Sequence, residues 1–332
     1  MSARAQNLQA WTDSYLSNVP HFRGVIAALK NGELLIQSSH GFAVEDWQIP
    51  NTTDTNFELA SVSKQFTAAA ILQLAEAGKL RLDDPVGKYY TEAPPNWKRI
   101  TIHHLLTHTS GIPQNDLGKL PEGLCRSYTT DELIKTFRDL PLVFQPGAQW
   151  AYRNTEYYLL AYIIERLAGE SYGDYLTHHI FQPLGMTHSG FTSTLSIVPK
   201  MAEGYTPDGK ALRHRDCFNR SLEVGAGGIY SNVADLLAWN HALDAPGFLN
   251  AHSLDLMFTA HPPGNYGYGW FVETQPRRKI YHEGGDPGFA AFELRYPDQK
   301  LVIIVLANED DAPVRDVANA VAERVLGSPK SP

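Results

Sequence analysis

Ser61-Val62-Ser63-Lys64-Gln65-Phe66-Thr67-Ala68-Ala69-Ala70-Ile71-Leu72-Gln73-Leu74-Ala75-Glu76-Ala77-Gly78 is the stretch on which the reading of this chain turns. It is rich in Ala and Leu, apolar at helical spacing, and closed by a glycine suited to a left-handed cap. The pattern therefore predicts a helix opening on Ser61. At i and i+3 the Ser61 hydroxyl and the Lys64 amine share one face of the first turn. The free N–H groups and positive end of a helix favour an alkoxide or oxyanion there. An unprotonated lysine can take the proton of a serine nucleophile. A Ser-x-x-Lys pair also arises by chance in a chain of this size. Here it is the only such pair, and the apolar turn Phe57-Glu58-Leu59-Ala60 leads into it.

The 332 residues suffice for one large domain or two smaller ones, with 43% apolar residues to build a core. A formal net charge of −8 and the lack of any basic run argue against nucleic acid or an anionic membrane surface as partner. No apolar stretch is long enough to span a bilayer. The N-terminus leads into polar residues and shows no signal peptide, so a cytoplasmic location is expected as the chain is written. A periplasmic or secreted one is expected if a leader was removed. Cys125 and Cys217 sit in polar, loop-like surroundings. They form no metal motif and demand no oxidising compartment, and a disulfide between them stays open. The 13 histidines include no His-Glu-x-x-His. His103-His104 and His178-His179 are adjacent pairs whose side chains diverge on a helix, and they read as structural or surface residues. No metal and no cofactor is expected.

Along the chain the ends are sheet-like and the middle helical. Residues 5–17 suggest an amphipathic helix. Phe22–Lys30 and Glu33–Val44 read as strands joined by Asn31-Gly32, a strong hairpin signal. Helical patterns follow at Ile102–His108, Thr130–Leu140, Thr155–Ala168 and Tyr172–Phe181. Strand patterns return at Lys279–His282, Phe289–Tyr296 and Leu301–Asn308, and Ala312–Leu326 closes the chain as a helix. The expected class is α+β: a five-stranded antiparallel sheet built from both chain ends, flanked by helices, with a helical insertion between them.

Two further constellations carry chemistry. Tyr152-Arg153-Asn154 lies in the loop entering the Thr155 helix, where a phenol near an amine can act as a general base and an amide can orient a lysine or a carbonyl. Tyr230-Ser231-Asn232 has the same form, and on its own merits is indistinguishable. His282-Glu283-Gly284-Gly285 ends a short strand. A glycine there lets a substrate backbone approach the strand edge, and the Gly285 N–H could donate to an oxyanion. His188-Ser189-Gly190 is its rival.

Ser61-x-x-Lys64, Tyr152-x-Asn154 and His282-x-Gly284, in that order, resemble the three motifs of the serine β-lactamase and penicillin-binding protein superfamily. The nearest branch is that of class C β-lactamases, D,D-carboxypeptidases, D-aminopeptidases and related esterases. The resemblance spans nearly the whole chain. Leu105–Pro113 is similar to that group's Leu-Leu-x-His-Thr-Ser-Gly segment, Phe181–Met186 to its Pro-Leu-Gly-Met turn, and Gly225–Ser231 to its Ala-Gly-Gly loop. These matches assign Tyr230 and His188 to other segments, leaving Tyr152 and His282 as the site candidates.

The resemblance implies a β-lactamase/transpeptidase-like fold. Residues 1–85 and 222–328 would form the sheet subdomain, 86–221 an all-helical one, and the active site would lie between them. It also implies acyl transfer on a small-molecule or peptide substrate. Ser61 would form an acyl-enzyme while Lys64 and Tyr152 move protons. The Ser61 and Gly285 N–H groups would hold the oxyanion, and Asn154 would bond Lys64 or the substrate amide. The base, Lys64 or Tyr152, stays open because their titrations would be coupled. The departure lies in the third motif. β-Lactamases place Lys-Thr-Gly or Lys-Ser-Gly there to hold a substrate carboxylate, whereas this chain has His282 and Glu283, a weak anchor and a repulsive one. Glu283 is expected to face the cleft and disfavour substrates with a carboxylate beside the scissile bond. The alternative is a Glu283 turned to solvent or paired with Arg277 or Arg278. The favoured function is a serine hydrolase of esters or D-amino-acid amides and peptides. The alternatives are a β-lactamase or D,D-carboxypeptidase, and a non-catalytic ligand-binding relative.

Overall fold

The computed structural model describes residues 2–120, 122–191, 196–209 and 211–327. The hairpin predicted at Asn31-Gly32 forms, with both residues in the left-handed region at φ 52° and 79°. It joins β1 (Gly24–Lys30) to β2 (Glu33–His40), Lys30 facing Glu33. The expected strand Glu33–Val44 breaks at Gly41, whose φ of 68° turns the chain out of the sheet. Phe42–Val44 then pairs separately with Ile49–Pro50.

Late in the chain come β3 (Phe271–Glu273), β4 (Lys279–Asp286), β5 (Phe289–Tyr296) and β6 (Leu301–Ala307). β6 lies antiparallel to β1 and thereby joins the two ends of the chain, in the sheet order β3-β4-β5-β6-β1-β2. The sheet thus has six strands where the sequence pattern gave five. The extra one, β3, is three residues long, too short to show a period.

β6 is buried at every position, as suits a strand covered on both faces. On one face Ile303 and Val305 pack with Ile26 and Ala28 beneath α1 (Ala3–Leu16) and the C-terminal helix Val314–Leu326. On the other, Ile304 and Leu306 join Val25 and Ala27 in the larger core. That core holds α2 (Lys64–Glu76), α3 (Asn154–Ala168) and α4 (Val233–Asp244). α3 is capped by Gly169 at φ 76°.

The helices Ile102–Leu106, Thr130–Lys135 and Tyr172–Leu176 are shorter than their sequence patterns, and the last continues as a π-turn over Thr177–Phe181. Nor is the stretch 86–221 all helical. Tyr205–Asp208 pairs with Ala211–His214, and Gly190–Phe191 joins Ile229–Ser231, which also pairs with Phe57–Glu58. These strands have two to four residues and lack an apolar alternation. Cys125 and Cys217 are joined as a disulfide, their Cα atoms 5.4 Å apart. Among the described residues no helix is long and apolar enough to cross a membrane.

A buried polar knot fixes α2 to the sheet. Glu293 on β5 accepts from Gln65 Nε2 at 2.8 Å and from Asn240 Nδ2 at 2.6 Å, while Gln65 Oε1 accepts from the Trp239 indole. Glu293 is fully buried, and burial raises its carboxyl above the usual range. Glu293→Ala removes the acceptor of the buried Gln65 amide and one of the two acceptors of the Asn240 amide, which keeps the Leu236 carbonyl, and is expected to cost roughly 2–4 kcal/mol of stability. The check is a lowered urea midpoint at unchanged m-value.

Candidate active site

Ser61 stands in a single 3-10 turn, Ala60–Ser63, from which α2 continues. Ala60, just before it, has φ 46°, a left-handed conformation that costs an alanine about 1–2 kcal/mol. The turn is held against β4. A Cβ built on Gly284 would lie 2.2 Å from Leu59 O and 3.0 Å from Ser61 N, so only glycine lets the strand and the serine turn touch.

Lys64 is the first residue of α2 and is fully buried. Its Nζ donates to Ser61 Oγ at 3.1 Å, Asn154 Oδ1 at 2.8 Å and Ala226 O at 2.8 Å. Asn154 opens α3, and Ala226 lies in the Gly225–Gly228 loop. Gly225, at φ 73°, brings that loop against Tyr157 of α3, where a Cβ would fall 2.4 Å from the Tyr157 carbonyl oxygen. The Tyr152 ring sits 4.8 Å from Lys64 Nζ, with its hydroxyl buried beside Ser61. Tyr230, the rival, packs instead on Gly190 and near Arg220. His188 is the other rival, and its backbone N–H is tied to Asp235. Ser61, Lys64, Tyr152 and Asn154 are thus brought together.

Three carboxylates absent from the sequence reading surround this group. Glu223 is buried and accepts from Asn154 Nδ2 at 3.3 and 3.4 Å, which turns the amide oxygen toward Lys64. Asp286, the last residue of β4, faces Glu223 and Lys64. Glu156 on α3 meets His108, itself at φ 59°, with Oε2 2.5 Å from His108 Nδ1. Its Oε1 accepts from the Ser110 N–H and hydroxyl. Burial pushes Glu156 well up and His108 well down, so both are driven toward their neutral forms. The His108 ring then packs 4.4 Å from that of Tyr152.

Burial lowers Lys64 to about 8, against the pull of Glu223, Asp286 and Glu156. Burial raises Glu223 to about 7, with Lys64 opposing. Tyr152 is also pushed above the ordinary phenol range by burial. His282 is buried and lowered to about 3 by desolvation and by Lys64. Its Nδ1–H donates to the Glu283 carbonyl at 2.7 Å, and its Nε2 accepts from Tyr266 Oη at 2.8 Å, so it is neutral and fully engaged.

The third motif requires a correction. Glu283 does not face the cleft: successive side chains of a strand point to opposite faces. With His282 and Gly284 toward the serine turn, Glu283 stands on the other face and pairs with Arg315 of the C-terminal helix. Arg315 also covers the rings of Tyr281 and Phe292 there. Beyond Tyr281 the edge of β4 is unpaired, because β3 ends at that register, and Gly285 lies exposed on it. Among the described residues no cluster of His, Cys, Asp and Glu could hold a metal ion.

A family model described as Beta-lactamase matches residues 13–327. The Bacillus subtilis (strain 168) protein named "Putative penicillin-binding protein PbpX" is 34% identical over 309 residues, 93% of this chain and 76% of that one. A solved penicillin-binding protein from Bacillus halodurans superposes with TM-score 0.83 at 29% identity, covering 98% of this chain and 100% of the other. The D-amino acid amidase of Ochrobactrum anthropi SV3, complexed with L-phenylalanine amide, gives TM-score 0.83 at 25% identity, with 98% of both chains covered.

The contact between β4 and the serine turn makes a sharp demand. Gly284→Ala must push Leu59 O and Ser61 N away from the strand, and displacement on the order of 1 Å costs roughly a hundredfold in turnover. The expected outcome is that loss in kcat/KM on an activated ester with an unchanged far-UV circular dichroism spectrum.

Proposed function

The chain belongs to the β-lactamase family, a family of serine hydrolases, and on that footing we propose that it hydrolyses esters or D-amino-acid amides and peptides through an acyl-enzyme on Ser61. The observation that carries this reading is the 3.1 Å contact between Ser61 Oγ and a buried Lys64 whose amine is driven toward its neutral form. Lys64 takes the hydroxyl proton as Oγ attacks the carbonyl carbon. The tetrahedral oxyanion lies between the backbone N–H groups of Ser61 and Gly285. The proton passes by way of Tyr152 to the leaving amine or alcohol, which departs and leaves an ester on Ser61. Water then attacks that ester, gives a proton back through the same groups, and releases the acid. Lys64 is favoured as the base over Tyr152 because burial moves the two in useful opposite senses: the amine loses its proton more easily and the phenol less.

The substrate preference rests on what the third motif does not offer. His282 is neutral with both nitrogens engaged, and Glu283 is turned away, so neither anchors a substrate carboxylate. That favours esters and amides over β-lactams or peptides ending in a carboxylate beside the scissile bond, and the likeness to an amidase points the same way. The names of the penicillin-binding relatives support the second reading, a D,D-carboxypeptidase or β-lactamase.

Intact mass spectrometry after mixing with a short p-nitrophenyl ester, a penicillin and D-alanine amide separates these readings. A mass increment absent from Ser61→Ala is expected with the ester, together with a fall in kcat on the order of a million-fold in that variant. A variant retaining a tenth of the activity would remove Ser61 as nucleophile. Stable labelling and turnover with penicillin alone would favour the second reading.

The pH profile tests the base. With neutral Lys64 required, kcat/KM rises with pH through the shared titration of Lys64 and Glu223, between about 7 and 8. The Glu223 carboxylate holds the proton on Lys64, so Glu223→Gln removes that hold. The rising limb is expected to move to lower pH, by about one unit. A limb moved upward would show that Lys64 acts in its charged form.

A further inference from the structure

The strand register that turns Glu283 out of the cleft turns another acid in. His282, Gly284 and Asp286 alternate on one face of β4, and Gly284 fixes that face as the one against the serine turn. Asp286 is therefore on the cleft side, one residue beyond Gly285, on the edge left unpaired by β3. The cations near it are already engaged. Lys64 holds Ser61, Asn154 and Ala226, and Arg215 holds both oxygens of Glu58 at 2.7 and 2.8 Å as well as the Pro287 carbonyl. The Asp286 carboxylate has no hydrogen-bond partner among the described residues, and Glu223 is a like-charged neighbour.

Its position relative to the scissile bond follows from the proton path. Tyr152, which returns the proton to the leaving group, lies with its ring 6.0 Å from that of His282, at the other end of this stretch of strand. The leaving group therefore departs toward His282, and the acyl portion extends past Gly285 toward Asp286.

We propose that Asp286 selects the acyl group by holding a protonated amine on the carbon next to the scissile carbonyl, so that the preferred substrates are amides and esters of amino acids with a free α-amine. This rests on the reading of Ser61 as nucleophile and narrows its substrate class. Burial and the Glu223 charge raise Asp286 well above the usual carboxyl range, and an arriving ammonium offsets both effects. The charge of Glu223, which acts on Asp286, adds to the attraction.

The experiment compares D-alanyl p-nitroanilide with propionyl p-nitroanilide, which differ only by the amine. Because an ammonium also activates its carbonyl, the quantity read is the change in the ratio of their kcat/KM values on substitution. A charge-assisted hydrogen bond in this setting corresponds to about tenfold to a hundredfold, so Asp286→Asn is expected to lower the ratio by that factor. Glu283→Gln, whose side chain faces the C-terminal helix, is expected to leave it unchanged. A second measurement needs no variant: D-alanine amide should inhibit hydrolysis of a p-nitrophenyl ester at least about tenfold more tightly than propionamide. An unchanged ratio in a folded Asp286→Asn protein, or equal inhibition by the two amides, overturns the proposal. In either case ester turnover that depends on Ser61 leaves the nucleophile assignment standing, whereas failure of that turnover removes the assignment itself.

Discussion

The site depends on burying the amine of Lys64. An ammonium taken out of water loses several kcal/mol of solvation unless acceptors replace it. Here three do so, at 2.8 to 3.1 Å, and they come from distant parts of the chain: the serine turn, the start of α3 and the Gly225–Gly228 loop. That need ties the elements together. α2 and α3 must pack so that Lys64 and Asn154 meet, and Gly225 must let its loop lie on Tyr157 so that the Ala226 carbonyl reaches the amine. The same burial that makes the lysine costly drives its amine toward the neutral form, because desolvation works against its proton.

Two of the seven non-glycine residues with left-handed backbone among the described residues lie beside this amine. Ala60 and His108 are both left-handed without being glycine, one preceding Ser61 and the other packed on Tyr152. Each is held by what surrounds it. The turn at Ala60 is clamped by Gly284 of β4, and His108 by the Glu156 carboxyl, which Ser110 orients in turn. Burial chiefly sets the proton affinity of Lys64, and Glu223, Asp286 and Glu156 oppose it in that order.

Much of this is legible in the sequence because it is periodic or punctuated. The Lys64 helix, the Asn31-Gly32 hairpin, the apolar run of β6 and the helix at Asn154 all announce themselves, and the order of Ser61, Lys64, Tyr152 and His282 carries the resemblance to the family. What was missed has no period. β3 is three residues long, and the strands inside 86–221 are shorter than a pattern needs. Glu156, Glu223 and Asp286 are single acids, and nothing local distinguishes them from the surface acids of a chain with 36. The error at Glu283 is different in kind. Once His282 is placed facing the cleft, strand alternation already sends Glu283 to the opposite face and Asp286 to the same one. The orientation was present in the sequence and was obscured by matching motif positions one for one.

The charges around the nucleophile form a linked set. Glu58 is paired with Arg215 and Arg220, and the acids acting on Lys64 are Glu223, Asp286 and Glu156, in that order. If Lys64 serves as the base, as proposed, giving up its proton makes that end of the cleft more negative. All three acids resist that change by stabilising the charged amine. A cation seated beside Asp286 acts in the opposite sense, because it screens one carboxylate and repels the proton on Lys64. A substrate bearing an amine on its acyl side would then help to create the base that attacks it, whereas a substrate bearing a carboxylate there would hold Lys64 in its inactive, protonated form. On the proposed reading, one electrostatic arrangement would couple which substrate binds to whether Ser61 is activated, through the same buried lysine that holds the site together.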